Sequence, residues 1–285
     1  MTVSRRSILL APPALALVRP AHAEADVLRF GVGPLQPTPG DTRRVYEPFF
    51  RYLAEAAGRP FELVATTDWA GIAVALAGGQ VDCAWMGPWG YVLAKDRAGA
   101  EALAVVDYKG KPVYHAVIIA KPDLPIGHFP EDAKGMSISF ADTGSTSGWL
   151  IPSYWFKSQG IDPKAYFNYR DGATHAANDI AVANGQVDLA TDFDRNLNAM
   201  IAAGRIKPDQ VKIVWKSDPL PNDALAVRKD LDPHLKQLIL KTALGIDAAK
   251  AAEVMPANYT GWERAEPDTY TSIEDAGRAL GRSGR

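Results

Sequence analysis

The residues best suited to chemistry in this chain lie in a hydroxyl-rich turn at 142–148, with the sequence Asp-Thr-Gly-Ser-Thr-Ser-Gly. The turn follows a short apolar strand pattern at 137–140 and precedes a helical pattern that begins at Trp149. The first N–H groups of a helix have no backbone partners, and the helix dipole adds positive partial charge there. Three adjacent hydroxyls add further donors: Ser145, Thr146 and Ser147. The turn therefore predicts a site for a tetrahedral oxyanion. An ordinary helix cap is the alternative, because Ser and Thr are favoured at that position without a ligand.

The hydroxyl-rich turn resembles the ligand turn of the phosphonate, phosphite and phosphate substrate-binding proteins of ABC transporters. Five further segments match that family in the same order along the chain. They lie at 67–72, 80–85, 172–175, 187–191 and 213–217, the last followed by a matching turn at 221–223. Together these segments span most of the mature chain, which is identified as a member of the family.

This resemblance implies a fold, a function and partners. The family fold is α/β with two lobes, a type II-like periplasmic binding protein in which two doubly wound sheets are joined by a hinge of two crossings. The resemblance also implies capture of a small oxyanion between the lobes and delivery to the permease and ATPase of an ABC importer. No catalysis and no cofactor are expected, and the membrane would be met only through the transporter.

Position-by-position matching to the family implies eight ligand-binding residues. They are Trp69, Tyr114, Ser145, Thr146, Ser147, His175, Arg195 and Asp223. Trp69 stands where the family usually has a tyrosine that closes over the ligand, so an indole N–H replaces a hydroxyl. Tyr114 matches the family's ligand-binding tyrosine, and His175 matches the histidine that contacts the phosphonate oxygens. The alternatives are that the two aromatic residues are plain core and that the histidine is a cap or surface residue.

Two charged positions bear on the choice of ligand. Asp223 matches an acid that lies near the ammonium group of amine-bearing phosphonates. The family member specialised for aminoalkylphosphonates has a second acid where this chain has Arg195. A cation there argues against amine-bearing ligands, unless Asp192 or Asp194 substitutes, and it favours phosphite, phosphate or a short alkylphosphonate. The alternative is that Arg195 faces solvent from the first turn of a helix.

Residues 1–23 have the features of a bacterial export signal. Two arginines at positions 5 and 6 precede an apolar run at 8–18 that is too short to span a bilayer, and Ala-His-Ala at 21–23 offers a cleavage site. The paired arginines resemble a twin-arginine signal, with an ordinary secretory signal as the alternative. The sequence thus predicts a periplasmic protein.

Composition argues against other classes of protein. Removing the predicted signal takes away three arginines and no acid, so Lys+Arg falls from 31 to 28 against 33 Asp+Glu and the net charge becomes −5. Nucleic acid is therefore not an expected partner, because binding it needs a basic surface. The single cysteine, Cys83, falls in an apolar strand pattern and is expected to be a buried thiol.

An internal repeat predicts two lobes of like design. The sequence Ile-Ala-Val-Ala followed by Gly-Gln-Val-Asp-x-Ala occurs at 72–84 and again at 180–190. Strand and helix patterns alternate around both copies, which predicts mainly parallel sheets with helices on both faces. We expect 24–120 plus 224–285 to form the first lobe and 121–223 the second, with crossings near 119–125 and 216–224. Within this scheme a continuous strand at 114–120 and a strand at 165–169 are predicted.

Two other classes of function compete with this interpretation. A Ser/His/Asp hydrolase is least favoured, because Thr146 occupies the centre of a would-be Gly-x-Ser-x-Gly elbow and no acid-then-histidine order follows it. No His-x-x-x-His or Cys cluster suggests a catalytic metal. The same fold with another anion, such as a sulfonate, or with a ligand-sensing role remains open at this stage.

Overall fold

The computed structural model of the protein describes residues 27–282, so the predicted export signal lies outside the described residues. Within 27–282, no helix is both long and apolar enough to cross a bilayer. Two sheets, of six and five strands, dominate the fold, and a two-stranded ribbon lies between them in the chain. This is the two-lobed α/β architecture that the sequence predicts.

The first lobe is built on the six-stranded sheet, whose spatial order is β13-β4-β12-β3-β1-β2. Its strands are β1 Leu28–Val32, β2 Phe61–Ala65, β3 Cys83–Met86, β4 Glu101–Tyr108, β12 Ala224–Val227 and β13 Tyr259–Arg264. Its helices are α1 Pro39–Ala57, α2 Trp69–Ala77, α3 Pro88–Ala98, α8 Pro233–Leu244 and α9 Ala248–Val254. Strand β3 is buried on both faces: Cys83 and Trp85 join the core under α1 and α8, while Ala84 and Met86 join the core under α2 and α3.

The second lobe is built on the five-stranded sheet, in the order β10-β6-β9-β7-β8. Its strands are β6 Ala116–Ala120, β7 Ser137–Ala141, β8 Asn168–Ala173, β9 Leu189–Phe193 and β10 Lys212–Lys216. Its helices are α4 Ile151–Ser158, α5 Pro163–Tyr166, α6 His175–Ala183 and α7 Asp194–Ala202. A single π-helical turn, Thr146–Leu150, leads into α4. Strand β6 is also apolar on both faces, which explains its unbroken run of buried residues.

Both sheets are mixed, so the prediction of mainly parallel sheets is wrong. Strands β1, β2 and β3 pair in parallel, as do β7, β8 and β9, but β12 and β6 run antiparallel to all their neighbours. These two are the strands that follow the crossings between the lobes. Each therefore runs opposite to the parallel strands of its sheet, which are joined by strand–helix–strand units.

The first crossing lies earlier in the chain than predicted, and the second lies within the predicted range. Strand β5, Val113–Tyr114, pairs with β11, Leu220–Pro221, to form the ribbon between the lobes. Since β6 belongs to the five-stranded sheet, the chain passes into the second lobe before residue 116, and the expected boundary after residue 120 falls too late. The predicted continuous strand at 114–120 is interrupted at His115 for the same reason.

A second local correction concerns residues 163–173. The predicted strand at 165–169 is instead the short helix α5 followed by β8. The side chain of Asp162 accepts a hydrogen bond from the N–H of Lys164, and Pro163 occupies the first helical turn. Asp followed by Pro is a helix-start signal, and here it outweighs the alternating pattern.

The internal repeat is confirmed in three dimensions. In each lobe the repeated Val-Asp places a carboxylate beside the start of the middle one of three parallel strands, β1 in the first lobe and β7 in the second. Oδ2 of Asp82 accepts from the N–H of Arg29 at 2.9 Å, and Oδ2 of Asp188 accepts from the N–H of Ser137 at 2.9 Å. The repeated helices, α2 and α6, begin at Trp69 and His175, so the duplication brings two predicted site residues to equivalent helix starts.

The last helix, α10 (Thr271–Ala279), contacts helices of both lobes. Lys95 on α3 pairs with Glu274 at 2.6 Å, and Nζ of Lys157 on α4 donates to the carbonyl of Ala279 at 2.6 Å. The C-terminal helix therefore spans the two lobes on the outside of the molecule.

Candidate functional site

All eight predicted site residues line one small cavity between the lobes. Two apolar residues, Leu35 and Phe193, complete its wall. The predicted residues come from four places in the fold: the start of α2, the ribbon strand β5, the hydroxyl-rich turn with α6 and α7, and the loop before β12. The sequence motifs thus converge in space although they are spread over 69–223.

Several helix N-termini point at this cavity. In the first lobe, the backbone N–H of Trp69 donates to Oδ2 of Asp142 at 3.3 Å. The N–H of Trp89, in the first turn of α3, donates to Oγ1 of Thr146 at 2.8 Å, and α3 has no side-chain cap of its own. Helix α6 adds a third start at His175. The dipoles of these helices therefore add positive potential at the cavity before any side-chain charge is counted.

The hydroxyl-rich turn is both a helix cap and a donor surface. Oγ of Ser145 accepts from the N–H of Gly148 at 3.1 Å, which is the capping role. Thr146 and Ser147 are buried, and the hydroxyl of Tyr114 lies beside both of them. Because Oγ1 of Thr146 already accepts from Trp89, its own hydrogen is free to donate into the cavity.

The turn is clamped against the first lobe by a very close approach at Gly144. A Cβ atom at this position would lie 2.3 Å from the backbone nitrogen of Ala70 at the start of α2. The indole Nε1 of Trp89 also donates to the carbonyl of Thr143 at 3.1 Å. Glycine is required here because any side chain would hold the lobes apart.

His175 lies between the hydroxyl-rich turn and a buried carboxylate. Its Nε2 is 3.0 Å from Oγ of Ser145, and its Nδ1 is 3.0 Å from Oδ1 of Asp192. The second contact has an ion-pair distance, but its angle is not that of a regular hydrogen bond. Burial lowers the pKa of His175 to about 4, despite the nearby carboxylates of Asp179, Asp142 and Asp223.

Arg195 is a buried cation that faces the same cavity. Only 6% of its surface is exposed, and its Nε has no hydrogen-bond partner among the described residues. Its Nη2 lies 3.8 Å from Oδ2 of Asp223, and its Nη1 donates to the hydroxyl of Tyr259 at a long 3.4 Å. The alternative, in which Arg195 faces solvent, is therefore wrong.

Four aromatic rings surround the Arg195 guanidinium. The ring centroids lie 4.7 to 5.7 Å from its central carbon and belong to Tyr114, Phe193, Tyr108 and Tyr259. Ring faces stabilise a cation without neutralising it. Burial alone would lower the pKa of Arg195, but Tyr259 and Asp223 outweigh that effect and raise it, so the side chain remains charged.

Asp223 is already engaged by protein groups. Its Oδ2 accepts from the indole Nε1 of Trp85 at 3.1 Å and faces Arg195. Burial raises the pKa of the Asp223 carboxyl, and these two neighbours partly offset that rise. This acid is thus partnered from within the chain.

Comparison with known proteins decides the family. Residues 30–270 match the family model described as "ABC transporter, phosphonate, periplasmic substrate-binding protein". The chain belongs to this family. It is a substrate-binding component of an ABC importer and not an enzyme, as the sequence predicts.

Similar proteins support the same assignment. The chain is 31% identical to the phosphonates-binding periplasmic protein of Escherichia coli over 78% of this chain and 68% of that one. It is 32% identical to the phosphate-import protein PhnD of Mycolicibacterium smegmatis, over 73% and 68% of the two chains. A crystal structure of a binding protein component of an ABC phosphonate transporter from Pseudomonas aeruginosa has a TM-score of 0.80 at 27% identity, covering 89% of this chain and 86% of that one.

The binding protein does contain a Ser–His–Asp series, formed by Ser145, His175 and Asp192. Asp192 follows His175 in the chain, so the series does not have the serine–acid–histidine order of the hydrolase motif. Ser145 is 2% exposed and its Oγ caps the following helical turn, so the series holds the turn in place. Among residues 27–282, no group of three or more His, Cys, Asp or Glu side chains is arranged to hold a metal ion.

Several cavity residues were not found from sequence. Leu35 and Phe193 are apolar and carry no chemical signal of their own. Trp85, which holds Asp223, occupies the end of strand β3, where side chains of an α/β sheet commonly reach a ligand crevice. That position was the available signal.

Proposed function

We propose that this binding protein captures a phosphorus oxyanion without an amine group, such as phosphite, phosphate or a short alkylphosphonate. It then delivers that anion to the permease and ATPase of its importer. The observation that carries the choice of ligand is the buried guanidinium of Arg195 with an unpartnered Nε at the cavity wall. A buried cation with missing hydrogen bonds is stabilised by an anion that supplies them.

Overall similarity does not decide between ligands. The two relatives named above are nearly equally similar to this chain, yet one is named for phosphonates and the other for phosphate. The choice therefore rests on the side chains around the cavity.

An ammonium group would have to share with Arg195 the one carboxylate that lines this cavity among the described residues. Asp223 is the acid expected to serve one, but it is already paired with Trp85 and Arg195. A ligand ammonium would displace these contacts and approach a fixed positive charge. A small anion without an amine neither displaces the contacts of Asp223 nor brings a positive charge close to Arg195.

Each predicted residue has a role in this proposal. Thr146, Ser147 and Tyr114 donate hydroxyl hydrogens to the oxyanion, and helix N-termini add backbone N–H groups. Trp69 closes the cavity from the first lobe, where its ring packs against the backbone of Gly33 and Gly87. Arg195, Asp223 and His175 complete the wall of the cavity, and Ser145 lies next to His175.

Calorimetric titration tests this proposal. Phosphate, phosphite, methylphosphonate, 2-aminoethylphosphonate and methanesulfonate would each be titrated into the mature protein, with turnover assayed in parallel. An amine-free phosphorus oxyanion should bind most tightly and raise the free energy of unfolding by ~2.7 kcal/mol at a hundredfold excess over Kd. A preference for methanesulfonate, or binding of none of the five, would contradict the proposal.

Delivery and export complete the proposal. Ligand-dependent stimulation of ATP hydrolysis by the cognate transporter in proteoliposomes tests delivery. Cell fractionation tests export, and replacing Arg5 and Arg6 together by lysine separates the two routes. Loss of periplasmic protein indicates the twin-arginine route, and retention indicates the ordinary secretory route.

A further inference from the structure

A row of buried polar groups runs from the cavity into the second lobe behind His175. It begins at Oγ of Ser145, passes through both ring nitrogens of His175 and reaches Asp192 at the end of β9. Nδ2 of Asn196 then donates both to Asp192, at 3.1 Å, and to Oδ2 of Asp179, at 2.9 Å. The ligand proposal above does not use the last three of these groups.

The two carboxyl groups at the end of the row share one environment. Asp179 and Asp192 are both fully buried. Oδ1 of Asp179 receives no hydrogen bond from the described residues, which suits a protonated oxygen that donates to its neighbour. Burial raises the pKa of both carboxyl groups. The charge of Asp192 raises that of Asp179 further, whereas hydrogen bonds from Asn196 and from the N–H of Phe193 lower that of Asp192, so Asp179 takes the proton first. The remaining negative charge lies on Asp192, which faces the imidazole.

This charge dictates where the ring hydrogen of His175 lies. Although the angle is not that of a regular hydrogen bond, the Asp192 carboxylate at 3.0 Å attracts a hydrogen on Nδ1 and repels a lone pair there, which favours the ring form with hydrogen on Nδ1. In the neutral ring Nε2 is then an acceptor, and it takes the hydroxyl hydrogen of Ser145. The other side of Oγ of Ser145 already accepts from Gly148. Neither residue is left with a hydrogen to give to an oxyanion.

We infer that the site takes up its oxyanion together with one proton, held between the ligand and His175 and supported by the Asp192 carboxylate. The inference rests on the proposed function. The proton either arrives on the monoanionic ligand as a P–OH group that donates to Nε2, or it comes from solvent and forms an imidazolium. In both cases the hydrogen bond between Ser145 and His175 is exchanged for hydrogen bonds between these residues and the ligand.

The other charges near His175 are consistent with this stoichiometry. They come from four elements packed around the ring: Asp142 of the hydroxyl-rich turn, Asp179 of α6 itself, Asp192 of β9 and Asp223 of the loop before β12. Arg195, at the start of α7, is the positive group that lines the same cavity. A dianion with no added proton would bring two negative charges close to these carboxylates, one of which, Asp223, lines the cavity itself.

Calorimetry in two buffers of different ionisation enthalpy measures the number of protons taken up. With phosphite as the probe, uptake should rise from near zero below the ligand's second pKa to near one well above it. Over the same upper range Kd should weaken about tenfold per pH unit. Binding with no proton uptake at any pH would overturn the inference but leave the proposed function intact. If neither phosphite nor phosphate nor methylphosphonate binds, both the inference and the proposed function are overturned.

Matched variants locate the proton. In Asp192→Asn the new amide can donate to Nδ1 of His175. The neutral ring then carries its hydrogen on Nε2 and can donate it to the oxyanion, so proton uptake on binding should fall towards zero. In Asp179→Asn the amide is uncharged, as protonated Asp179 is, so proton uptake should stay near one even if the affinity of the variant for phosphite changes. His175→Gln offers an amide N–H without protonation and should also abolish uptake. The opposite result for the two aspartates would overturn the assignment, and thermal melts confirm that each variant is folded.

Discussion

Nη2 of Arg195, at the start of α7 in the second lobe, lies 3.8 Å from Oδ2 of Asp223, in the loop that returns the chain to the first lobe. The pair links the two lobes at the wall of the cavity. Because Trp85 also donates to the same carboxylate oxygen, the acid is held by the protein and the arginine keeps unfilled donors. The site therefore offers an unfilled cationic donor and an acid that already has protein partners, whereas a site for an ammonium group would need a free acid.

Exchanging the charge at position 195 should reverse the ligand preference. The wild-type protein is expected to bind methylphosphonate more tightly than 2-aminoethylphosphonate, and Arg195→Glu should bind the amine more tightly, because a carboxylate can pair with the ammonium. Competition titration measures the ranking. Arg43→Glu makes the same charge change at an exposed position on α1 and should keep the wild-type order. An unchanged order in Arg195→Glu would remove the residue from ligand selection.

Removing a hydroxyl from the turn should weaken binding without unfolding the lobes. Thr146→Ala and Ser147→Ala should each cost about 1.5–3 kcal/mol of binding, since a hydrogen bond to an anion is lost in a buried cavity. Thr146→Ala should be the worse of the two, because it also removes the acceptor for Trp89 across the lobes. Ser158→Ala, at the exposed end of α4, is the control. Wild-type affinity in both turn variants would mean that the turn is only a cap.

Adding one methyl group at Gly144 should prevent closure. The new Cβ would lie 2.3 Å from the nitrogen of Ala70, and backbone atoms cannot move aside cheaply. Gly144→Ala should therefore bind at least roughly tenfold more weakly, a loss of about 1.4 kcal/mol. Small-angle scattering should show no ligand-dependent compaction. Gly40→Ala is the matched control, because its nearest neighbour would be 3.8 Å away. Compaction of the Gly144 variant equal to that of wild type would refute the steric argument.

Asp82 should stabilise the first lobe in a pH-dependent way. Burial raises the pKa of this carboxyl, but the N–H of Arg29 and the guanidinium groups of Arg228 and Arg29 outweigh it and leave the pKa below its usual value. A lowered pKa gives stability that is present above the unfolded-state value of about 3.9 and is lost as pH falls through the folded-state value.

Asp82→Asn should therefore lower the free energy of unfolding by about 1–3 kcal/mol at pH 7. The difference from wild type should shrink steadily below pH 4. Denaturant titrations at pH 7 and pH 3 measure both values. Asp41→Asn, in a more exposed pair with Arg44, serves as the comparison. An equal difference at the two pH values would show that packing, not charge, accounts for the loss.

The site was more predictable than the sheets. Most of its residues occur where strands end and helices begin, and such positions carry turns that can be recognised in sequence. All eight predicted residues line one cavity. The environment of Arg195 was not predictable, because its aromatic neighbours come from β4, β5, β9 and β13, which are far apart in the chain. No local pattern encodes such a cluster.

The alternation of strands and helices was visible in sequence, but strand direction was not. Direction in β6 and β12 is set by the crossings between the lobes, a long-range property. Strands β4 and β13 were not predicted at all. They pair with each other at the edge of the first sheet, and this pairing joins segments about 150 residues apart.

Three of the seven tryptophans stand around the cavity: Trp69 in its wall, Trp85 bonded to Asp223 and Trp89 bonded to the turn. The energy of indole emission depends on the electric field and polarity around the ring. An anion bound in the cavity changes that field at Trp69 in the wall and at the two tryptophans that are bonded to Asp223 and to the turn. The protein therefore carries its own optical reporter of occupancy, and its unlabelled fluorescence can follow capture and release during transport.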